Sequence, residues 1–345
     1  MKKTISLILI IALIFSLCGC DIADKVIEYA EMIGEEIETE IEGTEYEELL
    51  NNFDFLDPSN DISDSSQAIY GTEHAPLYPS EYLQLSSLSA NEKQLYFILV
   101  NAVANFKNVV DVPEWLDVYK DDYQYVFDRF YADNPQLFYL SRSSSFTYIK
   151  NSGKISQIFL YYTDGNITDQ FDTDNPENLI NEADRGLIRT KISRFNTAVN
   201  TVLSEISADI SDLDKEKAIH DYLCKNVYYN SEATVEDYSQ TLHIPHYYDA
   251  YGALCEQYAV CEGYSKAFQY LCYMVGINAS QVSGNGNGGR HMWNIVLIDG
   301  VWYHTDVTWD HTYYQAKLCH KYFNLTEEEI LLDHEIIIDT LYLPR

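Results

Sequence analysis

Cys261 sits where a nucleophile would be activated. From Gly263 onward, apolar residues recur at Ala267, Phe268, Leu271, Cys272 and Val275, the spacing of one helical face. Gly276 follows as a C-terminal stop. Cys261 therefore falls at a helix N-terminus, where unpaired backbone N–H groups and the positive end of the dipole favour thiolate. Thiolate is the nucleophilic form, so the position suits covalent attack on an acyl carbon. That chemistry needs a base and a group to orient it. Of nine histidines, His291 has the most context. It precedes Asp299-Gly300, a two-residue hairpin turn. Counting outward from the turn opposes Ile298 to Val301, Trp293 to Asp306 and His291 to Thr308. Alternate residues share a face, so His291 and Asp306 are diagonal neighbours, roughly 7 Å apart at the backbone. The carboxylate can then hold the second imidazole nitrogen and stabilise the imidazolium. A bulge between Trp293 and Asp306 would break this register. His304 shares the face and is the alternative base, without independent support.

Other reactive residue types read more plainly. Five cysteines follow the leader: Cys224, Cys255, Cys261, Cys272 and Cys319. An odd number makes a poor disulfide framework. Cys272 lies deep in the Cys261 helix and reads as a small core residue; Cys224, Cys255 and Cys319 read the same way. A Cys255–Cys261 bridge would silence the nucleophile. No CxxC pair occurs, so a structural zinc site has little support, and the expectation is no metal and no cofactor. His220 and Asp221 read as a surface pair beside a helix face. The stretch Asp54 to Asp64 lacks the mid-loop Gly and closing Glu of a calcium loop.

The elements that must position these residues follow. Ser89-Ala90-Asn91-Glu92 looks like a helix start, with Leu95, Ile98, Leu99, Val103 and Phe106 at helical spacing. Asp121 to Tyr131 predicts a second helix, stopped by Asn134-Pro135. Leu137 to Leu140 and Ile158 to Tyr162 read as strands. A long helix runs from about Pro176 to Ile206 and another from Ser211 or Asp212, with Ala218, Ile219, Tyr222, Leu223 and Val227 on its apolar face. Ser231 to Tyr248 reads as an irregular loop. The fold class is α+β. The divisions are residues 1–20, a leader; 21–70, an acidic tether; 71–208, a mixed helix/strand domain; and 209–345, the domain carrying the chemistry.

Lys2 and Lys3 precede an apolar run from Ile5 to Leu17, the length of a signal-peptide core. The run ends Leu17-Cys18-Gly19-Cys20, which resembles a bacterial lipobox with Cys20 as the lipidated residue. The expected location is the outer face of a cell membrane. The formal charge of −32 argues against nucleic acid, whose phosphates need clustered Lys and Arg. It also disfavours direct docking on anionic lipid. Tyrosine is abundant, with 30 copies; most are expected to pack.

Several blocks together resemble the transglutaminase-like superfamily. They are Val260-Cys261-Glu262-Gly263-Tyr264, His291-Met292-Trp293-Asn294, Asp299-Gly300-Val301-Trp302-Tyr303 and Asp306-Val307-Thr308-Trp309-Asp310. Ala218 to Leu223 resembles the helix that precedes the core in bacterial members, and Tyr322-Phe323-Asn324 their closing segment. The match runs over about residues 210 to 335. The resemblance implies a papain-like core, with a nucleophile helix packed on an antiparallel sheet. It implies Cys261 as nucleophile, His291 as base and acid, and Asp306 as orienter. Trp293 and Trp309 match family positions and are expected to shield the site. The backbone N–H of Cys261 should bind the oxyanion, with Tyr248 or Tyr251 as the second donor. The implied activity is attack on a protein or peptide amide at the cell surface, by a cysteine peptidase or amidase. A cross-linking transglutaminase and a catalytically inactive binding module are the alternatives.

Overall fold

A computed structural model describes residues 88–163, 180–233, 245–313 and 318–337, all within one compact unit, 70–345. The leader with Cys20, the acidic tether and the Asp54–Asp64 stretch lie outside the described residues.

The described chain begins with helix α1 (Ala90–Ala104). Ser89 caps it as the sequence predicts: its Oγ accepts from the Glu92 N–H, and the Glu92 carboxylate accepts from the Ser89 N–H, a reciprocal box that satisfies two orphan donors. Strand β1 (Val109–Asp111), helix α2 (Lys120–Asp133), and strands β2 (Leu140–Tyr148) and β3 (Ile155–Tyr162) follow. The three strands form an antiparallel sheet in the order β1-β3-β2. One expectation changes here. Leu137, Phe138 and Tyr139 are buried in a turn, closed by Leu140 N–H on Leu137 O at 2.9 Å, rather than in a strand. The strand begins at Leu140 and runs through the polar Ser141 to Ser145. Its low apolar content hid it. Register shifts in its pairing with β3 further blur any alternation, and Tyr123 donates to Ser144 across its face.

Helix α3 (Glu182–Ser204) is capped by the Asn181 side chain, and helix α4 (Asp212–Asn226) by Ser211. The buried stripe of α4 is Glu216, Ile219, His220 and Leu223, so two polar residues stand where Ala218 and Tyr222 were expected. Strand β4 (Tyr228–Tyr229) pairs in parallel with β5 (Tyr258–Ala259). Between them lie a 3₁₀ turn at His246–Tyr248 and a π-turn at Gly252–Glu256.

Helix α5 (Cys261–Met274) begins at the expected nucleophile and is buried over nearly its whole length. Gly276 ends it with φ +85°, the left-handed conformation a glycine tolerates. A four-stranded antiparallel sheet follows, ordered β8-β7-β6-β9: β6 (Ala279–Gly286), β7 (Gly289–Ile298), β8 (Val301–Thr305) and β9 (His334–Ile336). Asp299 and Gly300 both have positive φ, 51° and 78°, as a type I′ hairpin requires. The β7–β8 ladder keeps the predicted register from Ile298↔Val301 to Asn294↔Thr305. It stops there. Asp306 opens helix α6 (Val307–Tyr313), so Thr308 is helical and does not face His291 across the sheet. A short helix α7 (Glu327–Ile330) precedes β9.

One buried apolar cluster runs from Leu88 to Val307 and includes α1, α2, α3, α4 and α5. A smaller one, Val282, Trp293, Ile295, Tyr322 and Ile330, packs on the four-stranded sheet. Gln269 on α5 and Gln281 on β6 both donate to Ala132 O at 3.3 Å, tying the N-terminal layer to the helix and sheet that carry the site.

Candidate active site

The end of α5 that carries Cys261 is locked to the sheet by paired polar contacts. Ser265 Oγ donates to Trp293 O at 3.0 Å, and Asn294 Nδ2 donates to Ser265 O at 3.0 Å. These contacts fix the turn bearing Cys261 against the strand bearing His291. Glu262, next to the thiol, is buried but neutralised. It pairs with Lys266 at 2.7 Å and with Arg142 at 3.7 Å. Burial alone would raise its carboxyl, yet the two cations hold it below the ordinary value. Its negative charge is therefore largely compensated, which limits its opposition to a thiolate one residue away.

His291 is nearly buried, and its Nε2 lies 2.7 Å from Asp306 Oδ2. That leaves Nδ1 free to face the thiol, and Cys261 is close enough to count among the groups that raise the imidazole. Burial would lower the imidazole pKa. The Asp306 charge and the hydrogen bonds to Asp306 and Cys261 override it and raise the value to about 10. Asp306 is fully buried. Burial raises it, but His291, a second imidazole and the Trp309 N–H hold it down to about 2. The predicted diagonal contact thus survives although the strand ends one residue short. Asp306 caps α6 instead, accepting from the Trp309 N–H at 3.1 Å through Oδ1.

Trp293 and Trp309 both pack beside the imidazole. Their rings stack on His291 with centroids at 5.8 and 5.4 Å and interplanar angles of 20° and 30°. Glycines on β6 make room for them. A Cβ on Gly284 would lie 2.6 Å from Trp293 Cη2, and one on Gly286 2.6 Å from Trp309 Cζ2. At Gly284 and Gly286 the missing side chain is therefore a steric requirement of the two tryptophans.

His304 is not poised as a base. Its Nδ1 accepts from Trp293 Nε1 at 3.0 Å, and burial together with the charge of His334 pushes its pKa down to about 4. Tyr251 does not join the group either. Its hydroxyl accepts from Arg194 Nη1 at 3.2 Å, and its ring packs on Phe138 and His246. Among the described contacts it meets none of Cys261, His291 and Asp306. Tyr248 is one of the groups that act on Tyr229.

Three participants escaped the sequence reading. His334 Nε2 lies 3.2 Å from the same Asp306 Oδ2, so one carboxylate serves two imidazoles. It arrives on β9, which pairs with β6 through Gly286↔His334, a contact no local pattern signals. Tyr229 lies close enough to Cys261 that burial, then the thiolate and Asp306 charges, push its phenol up to about 12. The parallel pairing of Tyr229 with Ala259, just before Cys261, puts it there. Glu216 of α4 accepts from Thr305 Oγ1 at 3.0 Å and from Asn324 Nδ2 at 2.8 Å. It anchors the residue before Asp306 to the closing segment.

His220 and Asp221 are a correction. His220 is fully buried rather than on the surface, because α4 packs this face against α6 and the imidazole meets Asp310. The five cysteines among the described residues are free, and only Cys272 is fully buried. Burial raises the Cys255 thiol to about 12 and also raises those of Cys224 and Cys272.

Residues 200–307 match the family model of the transglutaminase-like superfamily. The chain is 28% identical over 134 residues to kyphoscoliosis peptidase of Mus musculus, covering 34% of this chain and 19% of that protein. It is 27% identical over 124 residues to the Homo sapiens protein of the same name, covering 31% and 18%. The chain therefore spans about a fifth of the length of these relatives. Among solved structures, a TGase shares 18% identity at a TM-score of 0.30, over 55% of this chain and 48% of that one. A candidate cysteine protease from Cytophaga hutchinsonii shares 15% identity at 0.28, over 56% and 65%.

Proposed function

We propose that the transglutaminase-like domain matched at residues 200–307 makes this chain a thiol enzyme acting on protein or peptide amides. Cys261 forms the acyl-enzyme and water takes the acyl group. One observation carries the reading: a cysteine at a helix N-terminus stands near an imidazole whose Nε2 is 2.7 Å from a buried carboxylate.

In the first step His291 holds the thiol proton as imidazolium, and Asp306 stabilises that cation. The thiolate attacks the amide carbon, forming an S–C bond and an oxyanion. The Cys261 backbone N–H, at the start of α5, is the proposed first oxyanion donor, and the hydroxyl of Tyr248 or Tyr229 the second. Collapse breaks the C–N bond, and His291 passes its proton to the departing amine. Water then attacks the thioester while His291 takes one of its protons. The C–S bond breaks and the thiolate–imidazolium pair is restored.

The same acyl-enzyme would support transfer to a primary amine. Turnover on a peptide-amide library, with and without an added amine, separates the two. We expect acid and free amine as products, both lost in Cys261→Ala. Exclusive amine transfer would replace hydrolysis with cross-linking, and full turnover in Cys261→Ala would end the proposal. An inactive binding module is disfavoured by a complete Cys-His-Asp set, which binding alone does not need. The lipobox-like Leu17 to Cys20 supports a lipid anchor at the outer cell surface, which predicts that Cys20→Ala releases the protein from the membrane fraction.

A further inference from the structure

A second group of ligand-type side chains lies beside α6, where His220 meets Asp310. His220 and Asp221 are consecutive on α4, and His320 comes from the segment 318–321 that leads into Tyr322. One potential ligand atom from each lies within 4.8 Å of the others. Asp221 Oδ1 is 3.2 Å from His220 Nδ1 and 2.6 Å from His320 Nε2. We propose that His220 Nδ1, Asp221 Oδ1 and His320 Nε2 form a binding site for a divalent cation of the zinc class, with the remaining coordination positions open to water.

Donor chemistry and spacing support this. Two imidazoles and one carboxylate suit zinc, whose bonds to N and O are about 2.0–2.2 Å. Tetrahedral ligands at that radius stand about 3.3 Å apart, close to the His220–Asp221 edge. The His320–Asp221 edge would widen by about 0.7 Å, and His320, with its side chain 32% exposed, has room to move. The two imidazole centroids are 5.2 Å apart, with planes inclined at 34°. Rings sharing one metal at a tetrahedral angle stand about 5 Å apart. Asp221 is 16% exposed, so the site meets solvent on that side.

The surroundings match what a metal-binding imidazole needs. A ligating histidine commonly offers its other nitrogen to a carboxylate, which fixes the tautomer and raises ligand basicity. His220 Nε2 lies 3.0 Å from Asp310 Oδ2, and Asp310 is itself held by the backbone N–H groups of Lys321 and Tyr322 at 2.9 and 3.1 Å. Cys224 is not a ligand in this geometry. Its sulfur is 3.9 and 3.8 Å from the two His220 nitrogens, near-equal distances that put it over the ring rather than along a lone pair. Lys217 at 3.0 Å from Asp221 Oδ2 is the competing cation, and it uses the other carboxylate oxygen. A bound ion would replace the proton on Nδ1 and staple α4 to the segment that leads into Tyr322. The proposal does not depend on the thiol chemistry.

Zinc binding to the full chain tests it. The protein is stripped with a chelator and titrated with Zn²⁺ against a chromophoric zinc indicator, with His320→Ala, Asp221→Asn and Cys261→Ala alongside. One zinc equivalent is expected in the starting protein and in Cys261→Ala. Affinity should be at least tenfold weaker in His320→Ala, a partly exposed change that leaves the metal-free melting temperature unaltered. If His320→Ala fails to fold, Asp221→Asn must show the same weakening. Absence of zinc binding, equal affinity in the folded His320 or Asp221 variant, or loss of the zinc equivalent in Cys261→Ala would overturn the assignment. The last result would put the ion on the reactive thiol.

Discussion

Replacing Glu216 by Gln should remove a pH-dependent loss of stability. Glu216 is fully buried on α4, where its two oxygens accept from Thr305 Oγ1 and Asn324 Nδ2. Burial outweighs these hydrogen bonds and the attraction of His220, so the carboxyl rises from 4.5 to about 7. The folded state therefore keeps a proton that the unfolded chain releases as pH rises through 4.5. The stability from that proton is fully present below 4.5 and is lost as pH climbs through about 7. Over that interval the loss amounts to about 3 kcal/mol. Gln has the same shape, keeps an acceptor for Asn324, offers a donor to Thr305 and does not titrate. Urea unfolding followed by tryptophan fluorescence, at several pH values between about 4.5 and 8, measures it. Subtracting wild type from variant cancels the other titrating groups. The difference should grow by about 3 kcal/mol in favour of the variant across the range. A difference that stays flat within about 0.5 kcal/mol would refute the buried, proton-holding carboxyl.

His304→Asn should keep turnover within about fivefold, since an amide oxygen can still accept from Trp293, whereas His291→Ala should lower it by about 10²–10⁴; equal losses would reopen the choice of base. Gly286→Ala should cost about 1–3 kcal/mol of stability and slow turnover, because the new Cβ meets the Trp309 ring at 2.6 Å and displaces the wall of His291. An unchanged melting temperature would contradict that steric account. The His291 imidazolium is held to about pH 10, so hydrolysis, which needs its proton for the leaving amine, should fall above that pH while thiol alkylation does not. The stability from this pair is present below 6.5 and is lost as pH rises through about 10. Parallel pH profiles for alkylation and hydrolysis would contradict it.

Much of the site was legible because it is locally encoded. A helix start at Cys261 and an Asp-Gly turn at 299–300 each leave a short-range mark, and the turn fixes which residues of β7 and β8 meet. Register counting failed only past Thr305, where Asp306 begins a helix; a capping Asp and a strand-ending Asp look alike in sequence. His334 and His220 were not legible as site or core residues. Their partners, Asp306 and Asp310, lie 28 and 90 positions away, and no local periodicity reports such a pairing. Strand β2 was hidden by its serines, whose backbone pairing to β3 requires no apolar side chain. Tyr251, expected as a candidate second oxyanion donor, precedes a π-turn and packs its ring on Phe138, with its hydroxyl on Arg194.

The proposed activation of the Cys261 thiol by His291 makes it the most reactive of the five cysteines. Site-resolved alkylation of the intact protein by iodoacetamide at neutral pH, read by peptide mass spectrometry, tests it most directly. Cys261 should label well ahead of Cys224, Cys255, Cys272 and Cys319, and His291→Ala should slow its labelling at least about tenfold. Equal labelling of all five thiols, or a Cys261 rate indifferent to His291→Ala, would contradict the account.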